Sequence, residues 1–192
     1  HQFAQETSMA LISLNTASSI TGLAKRTLWR YINKGQLTAH SAMVRGGKTR
    51  VAFEEIAPKS CLPLEPSDHA VIIDADQGDA VAQCDLAILF LTAQRPADAV
   101  PWLTLAAKQS YPDAMCFLGR CYLAGEGVSR DTAQGTLWLR HAAAKGHLLS
   151  QSLSRFLSTR PGHLLLDNHD STALELALDD IERNFILKVL VG

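Results

Sequence analysis

Over the last 22 positions, 171–192, apolar residues recur with a helical period. Leu174, Leu178, Ile181, Phe185 and Val189 follow one another at steps of four, three, four and four, the stripe of an amphipathic helix. Ile186 and Leu190 widen it, and Ser171 or Thr172 is placed to cap its start. Further upstream the same helical pattern repeats itself. Asp79-Ala80-Val81-Ala82 returns as Asp113-Ala114-Met115-Cys116, 34 residues later, while Trp102 returns as Trp138 and Ala106-Ala107 as Ala142-Ala143, each 36 residues later. A period in the mid-thirties predicts stacked helical hairpins. A further helix is expected from His147 to about Leu157. Arg160-Pro161-Gly162 then breaks the array, and 163–170 reads as a loop or short turn.

The first 60 residues read differently. A short helix capped by Thr16 runs to about Ile20, Gly22 supplies a tight turn, and a second helix runs from Ala24 to about Asn33, ending before Gly35. On that second helix Leu28 and Ile32 point one way, while Lys25, Arg26, Trp29 and Arg30 occupy the other faces. Ala42–Val44, a turn at 45–49 and Arg50–Phe53 predict a hairpin with a Gly-Gly tip and basic flanks. One more helical turn is expected over Glu54–Ala57. Pro58, Pro63 and Pro66 then mark a semi-rigid linker, and His69–Asp76 is either a turn or the lead into the next helix.

Charge sharpens this division. The whole chain carries 18 basic and 19 acidic residues, a formal charge of −1, which taken as one number argues against nucleic acid. Residues 1–60, however, hold eight basic groups against three acids, net +5, and the remainder holds ten against 16, net −6. A basic head on an acidic body is a recognised hint of nucleic-acid contact. With 47% hydrophobic and 19% charged residues the chain has the makings of a real core. No apolar run approaches the roughly 18 residues of a membrane span, and no basic n-region with an apolar core opens the chain. His1–Ser8, ahead of Met9, is set outside the fold. Cys61, Cys84, Cys116 and Cys121 form no CxxC, and Cys116 and Cys121 read as core packing in a reducing, cytoplasmic compartment.

Three resemblances follow from these residues. The run TASSITGLAKRTLWRYINKGQL followed by GGKTRVAF resembles the winged helix-turn-helix of the MerR and excisionase-like DNA-binding families, except that Trp29 stands where a polar or basic residue is usual. That resemblance implies double-stranded DNA as a partner. It assigns Lys25, Arg26, Thr27, Trp29, Arg30 and Lys34 to the groove-facing helix, and Arg45, Lys48 and Arg50 to phosphates beside the wing. Ala114, Leu118-Gly119, Tyr122, Gly125, Gly127-Val128, Asp131, Ala133, Trp138, Ala142-Ala143 and Gly146 resemble the Sel1-like repeat of the tetratricopeptide-type superfamily. The unit at 79–111 is a degenerate copy with Arg95-Pro96 in place of the GxGV loop. This resemblance implies a surface that binds a protein partner. ALDDIERNFILKVL resembles the helix preceding the Fis-type region of bacterial enhancer-binding activators. It implies dimerisation at most, because the recognition hairpin of that family does not follow. Capping of the repeat stack by Leu174, Leu178, Ile181, Phe185 and Val189 is an equal reading.

The expectation is therefore a mostly α protein. It comprises a winged helix-turn-helix (9–57), a linker (58–77), an α-solenoid of Sel1-like hairpins (78–160) and a capping or dimerisation helix (161–192). No phosphate loop, HExxH or GxSxG occurs, and the His pairs 141/147 and 163/169 lack metal-ligand spacing. Neither an enzyme, a cofactor nor a metal is expected. The function expected is a DNA-binding transcriptional regulator whose repeat body binds a protein and which has no membrane partner, with a homodimer as one option for its last helix. The alternative is a protein–protein adaptor that does not bind DNA.

Overall fold

A computed structural model of the chain describes residues 9–40 and 48–191. The described chain is mostly helical and divides into two compact units, residues 1–82 and 83–192.

The first unit contains β1 (Leu11–Ser13), α1 (Leu14–Thr21), α2 (Lys25–Asn33), β2 (Ala39–His40), β3 (Arg50–Ala52), α3 (Phe53–Ile56) and α4 (Asp68–Gln77). Both β1 and β2 pair antiparallel with the central β3, with Ile12 opposite Val51 on one side and Ala39 opposite Val51 on the other. Ile12, Ala17, Ile20, Leu28, Val51 and Ile56 are fully buried and form the core. Two helices joined by a tight turn thus lie over a small sheet. The turn is made by Gly22 at φ 69°, a left-handed conformation that costs glycine nothing.

Several local expectations are corrected. The cap of α1 is Ser13, whose Oγ accepts the Thr16 N–H at 3.2 Å; the Thr16 hydroxyl is instead donated to Asp76 at 2.5 Å. The strand β1 has too few residues to show an alternation and was not anticipated. The strand facing β3 in the hairpin is Ala39–His40, and the expected strand Ala42–Val44 with the turn residue Arg45 lies outside the described residues. Phe53, expected to end a strand, begins α3 and is buried. Within the stretch expected to be a linker, the Cys61 N–H donates to the Ile20 carbonyl at 2.8 Å and Leu62 is buried, so its proline-bearing first half is docked on the head. Residues 68–77 form α4, which packs on β1. Its start is tied by the Glu65 N–H donating to Asp68 Oδ2 at 2.8 Å, and its end by Gly78 at φ 100°.

The second unit is helical throughout its described length. It comprises α5 (Ala80–Thr92), whose first turn carries the boundary, then α6 (Pro96–Lys108), α7 (Pro112–Ala124), α8 (Thr132–Ala144), α9 (Leu148–Leu157), α10 (Arg160–Leu166) and α11 (Thr172–Val191). Neighbours in sequence pack from α6 through α10, and α11 returns to α7, α9 and α10. The α7–α8 contact depends on two glycines. A Cβ on Gly135 would lie 2.6 Å from Leu123 Cγ and 2.8 Å from the Gly119 carbonyl oxygen. In the loop after α7, a Cβ on Gly127 would lie 2.3 Å from the Pro96 carbonyl, so the Gly-x-Gly loop is moulded onto the start of α6.

The core of this unit is mainly aliphatic, with Phe90 and Trp102 as buried aromatics. Phe90, Leu103, Leu118, Leu123 and Leu139 are fully buried, whereas Tyr122 and Trp138 are half-buried and Ala133 is exposed. The expected break at 160–162 and most of the loop or short turn expected over 163–170 are instead helical, forming α10 (Arg160–Leu166). Thr159 caps it by accepting the Gly162 N–H at 3.2 Å, and Pro161 falls in the first turn, where no backbone donor is needed.

Candidate functional site

On the head, α2 presents a basic face. Leu28 is its one fully buried side chain; Lys25, Arg26, Trp29, Arg30 and Lys34 are exposed and Thr27 is half-buried. Trp29 is 43% exposed, and the Arg30 guanidinium lies 5.9 Å from the centre of the Tyr31 ring. Lys25 and Trp29 share a shallow concavity with Lys48 and Ser13, so the helix and the start of β3 bring cations together. Among the described residues, none of Lys25, Arg26, Arg30, Lys34 or Lys48 is in an ion pair.

Arg50, expected to sit beside phosphates, is engaged internally. Its Nη1 donates to Asp76 Oδ2 at 2.8 Å and to the Leu11 carbonyl at 3.0 Å. The Asp76 side chain is 2% exposed. Its Oδ1 also accepts the Ser13 N–H at 3.1 Å, the Ser13 hydroxyl at 2.6 Å and the Thr16 hydroxyl. Burial pushes the Asp76 pKa up, but these hydrogen bonds and the Arg50 charge outweigh it, and the carboxyl stays below its ordinary 3.8. Arg50 therefore stabilises the head by locking α4 to β1 and α1.

On the body, α7 carries one wall of a cavity of about 410 Å³. Asp113, Cys116, Phe117 and Arg120 recur at i, i+3, i+4 and i+7, so they share one helix face. Phe117 is 36% exposed, and the buried Cys116 and Cys121 floor the cavity with Leu149 of α9 and Leu91 of α5. The Cys116 and Cys121 thiols are each pushed up to about 11 by burial, and Cys84 to about 12. All three stay protonated at neutral pH and are poor nucleophiles.

The rim is charged. Arg120 pairs with Asp179 and, at 2.8 Å, with Glu182, both from α11. At the opposite end, His147 Nδ1 accepts the Ser150 N–H at 3.2 Å as the cap of α9, which leaves Nε2–H to face Asp113 Oδ1 at 3.2 Å. Tyr111 donates its hydroxyl to Asp113 Oδ2 at 3.1 Å; burial and that neighbouring carboxylate push the phenol up to about 12. Asp113, Arg120, Glu126 and His147 were not singled out from the sequence as a set. The helical spacing of 113, 117 and 120 was visible there, but the approach of α11 was not.

The last helix divides its apolar stripe in two. Leu174 and Leu178 are fully buried, Ile181 and Phe185 half-buried, and Val189 is 65% exposed. Beyond Phe185, Ile186, Leu187, Leu190 and Val191 are also exposed. The first half packs on α7, α9 and α10, and the second half is an uncovered apolar segment within its own unit.

Residues 112–147, the α7–α8 hairpin and its following turn, match the family model described as the Sel1 repeat. Among solved structures, a Sel1 repeat protein from Oxalobacter formigenes is 21% identical, over 73% of this chain and 92% of that one, with a TM-score of 0.44. No curated protein matches the chain. No described helix is long and apolar enough to cross a membrane, and no group of His, Cys, Asp and Glu among the described residues could hold a metal ion.

Proposed function

We propose that this protein is a non-catalytic interaction module whose Sel1-type repeat body binds a protein partner. The observation that carries this reading is the match of residues 112–147 to the Sel1 repeat, together with a concave, partly apolar surface built on the α7 face of that repeat. Stacked helical hairpins offer such surfaces without any reacting group. Four cysteines without disulfides support a reducing compartment such as the cytoplasm. The test is affinity capture with the full chain and with Phe117→Glu, each verified by circular dichroism. Partners retained by the parent and lost by the variant support the reading. A parent that retains nothing above a bare matrix refutes it.

A specific observation favours a second activity in the head. Lys25, Arg26, Arg30 and Lys34, on α2 and just after it, are exposed, and Lys25 shares a concavity with Lys48 and the exposed Trp29. This arrangement supports duplex DNA as a further partner, with α2 in a major groove roughly 12 Å wide. It makes the protein a candidate regulator that joins DNA to a protein. Neutralising about five phosphates gives a log–log salt slope near −4.5. A titration of duplex DNA from 50 to 200 mM salt measures it, and no binding at low salt would sink the idea. The exposed end of α11 supports a homodimer, which would present two heads to half-sites one helical turn apart.

A further inference from the structure

The groove on α7 is chemically lopsided. Its floor of Phe117, Cys116, Cys121 and Leu149 is apolar, but its rim is acidic. Arg120 is the one guanidinium in the lining, and Asp179 and Glu182 already answer its charge. Asp113 stands at the N-terminal end of α7 and Glu126 just past its C-terminal end. Glu126 is exposed, and among the described residues it makes no ion pair. Around the groove the Arg120 guanidinium stands against four carboxylates, Asp113, Glu126, Asp179 and Glu182. An apolar floor between two acidic ends rejects acidic segments and suits one occupant.

Resting on the reading of the repeat body as protein-binding, we propose that this groove takes a short partner segment in which a large apolar side chain is flanked on both sides by Lys or Arg. The apolar side chain seats on Phe117 and Leu149, and the two cations reach Asp113 and Glu126. The helical rise sets the register. Asp113 and Ala124, the last residue of α7, are separated by a helical rise of roughly 16 Å, and Glu126 lies two residues further on, for a span of roughly 16 to 20 Å. An extended chain covers that span in about five to six residues at roughly 3.3 Å each. The two basic residues therefore stand about six positions apart, with the apolar anchor between them.

The test uses the full chain and a fluorescein-labelled heptapeptide, Arg-Ala-Leu-Phe-Ala-Ala-Arg, followed by fluorescence anisotropy at low salt. A second peptide carries Glu in place of both arginines. The arginine peptide is expected to bind and the glutamate peptide to fail. Glu126→Lys lies in the exposed loop after α7. It is expected to weaken the arginine peptide about five- to tenfold, the size of reversing one exposed charge pair, and to improve binding of the glutamate peptide. Shifts of the Phe117 and Leu149 amides by NMR locate the contact. Equal binding of both peptides, indifference to Glu126→Lys, or no binding at millimolar peptide overturns the proposal. If the full chain still captures a protein in a Phe117-dependent way while the peptide fails, this inference is wrong and the broader reading stands. If capture fails as well, the broader reading goes with it.

Discussion

Replacing Asp76 with Ala should loosen the head while leaving the repeats intact. Asp76 is one carboxylate answering four donors: the Ser13 N–H, the Ser13 and Thr16 hydroxyls, and Arg50 Nη1. Its side chain is 2% exposed, but that of Arg50 is 38% exposed, so water can partly rescue the guanidinium left behind. Removing one partner of a buried pair costs about 3–5 kcal/mol, and the exposure of Arg50 places this case at the lower end. About 3 kcal/mol corresponds to roughly a hundredfold change in an opening equilibrium. Native-state amide hydrogen exchange by mass spectrometry reads this change by region. Peptides covering β1, α1 and α4 should exchange roughly a hundredfold faster in the variant, with α7 and α8 unchanged. The pH dependence has a definite sign. The folded-state pKa lies below the ordinary 3.8, so the stabilisation is complete above that value and is lost as pH falls through the lower, folded one. Parent and variant should therefore converge in strong acid. Head protection within about threefold of the parent at neutral pH would refute the latch.

Other expectations concern the body. Gly135→Ala meets the Gly119 carbonyl, which is backbone and cannot swing away. The clash should exceed the gain of about 1 kcal/mol in helix propensity and lower the melting temperature of the repeat unit by several degrees in a calorimetric scan. Gly119→Ala, whose nearest contacts are 3.0 Å away, should cost less. With Ellman's reagent near pH 8, the half-buried Cys61 should react first, while Cys84, Cys116 and Cys121, held at about 11 to 12, should wait for unfolding. Leu178→Asp should melt the first half of α11 by burying a charge, whereas Leu190→Glu should leave helicity unchanged and shift any dimer to monomer in sedimentation.

The elements that could be read from sequence are those whose signal is local. Gly22 and Gly35 mark the ends of α1 and α2, and the 34- to 36-residue spacing marks the hairpins. The glycines at 119, 125 and 127 mark where backbone must approach or turn. The features without a local signal depend on partners distant in sequence. The strand β1 exists because β3 lies beside it, and α4 is anchored by an aspartate whose donors lie 26 to 63 residues earlier. Arg50 looked like a phosphate ligand because a sequence shows its charge but not Asp76. The rim of the α7 groove has no local signal for the same reason, since Asp179 and Glu182 reach Arg120 from another helix. The stripe on α11 was periodic throughout, and periodicity could not say where burial would end.

The α7 face of the repeat body is the proposed docking site for a protein partner. A photo-crosslinking residue placed at Phe117, with a control at the exposed Leu137 on α8, tests it most directly in the cells that make the protein. The account predicts a covalent protein adduct from position 117, mapping to a partner segment with an apolar residue between basic ones, and none from position 137. Adducts from both positions alike, or from neither, would contradict it.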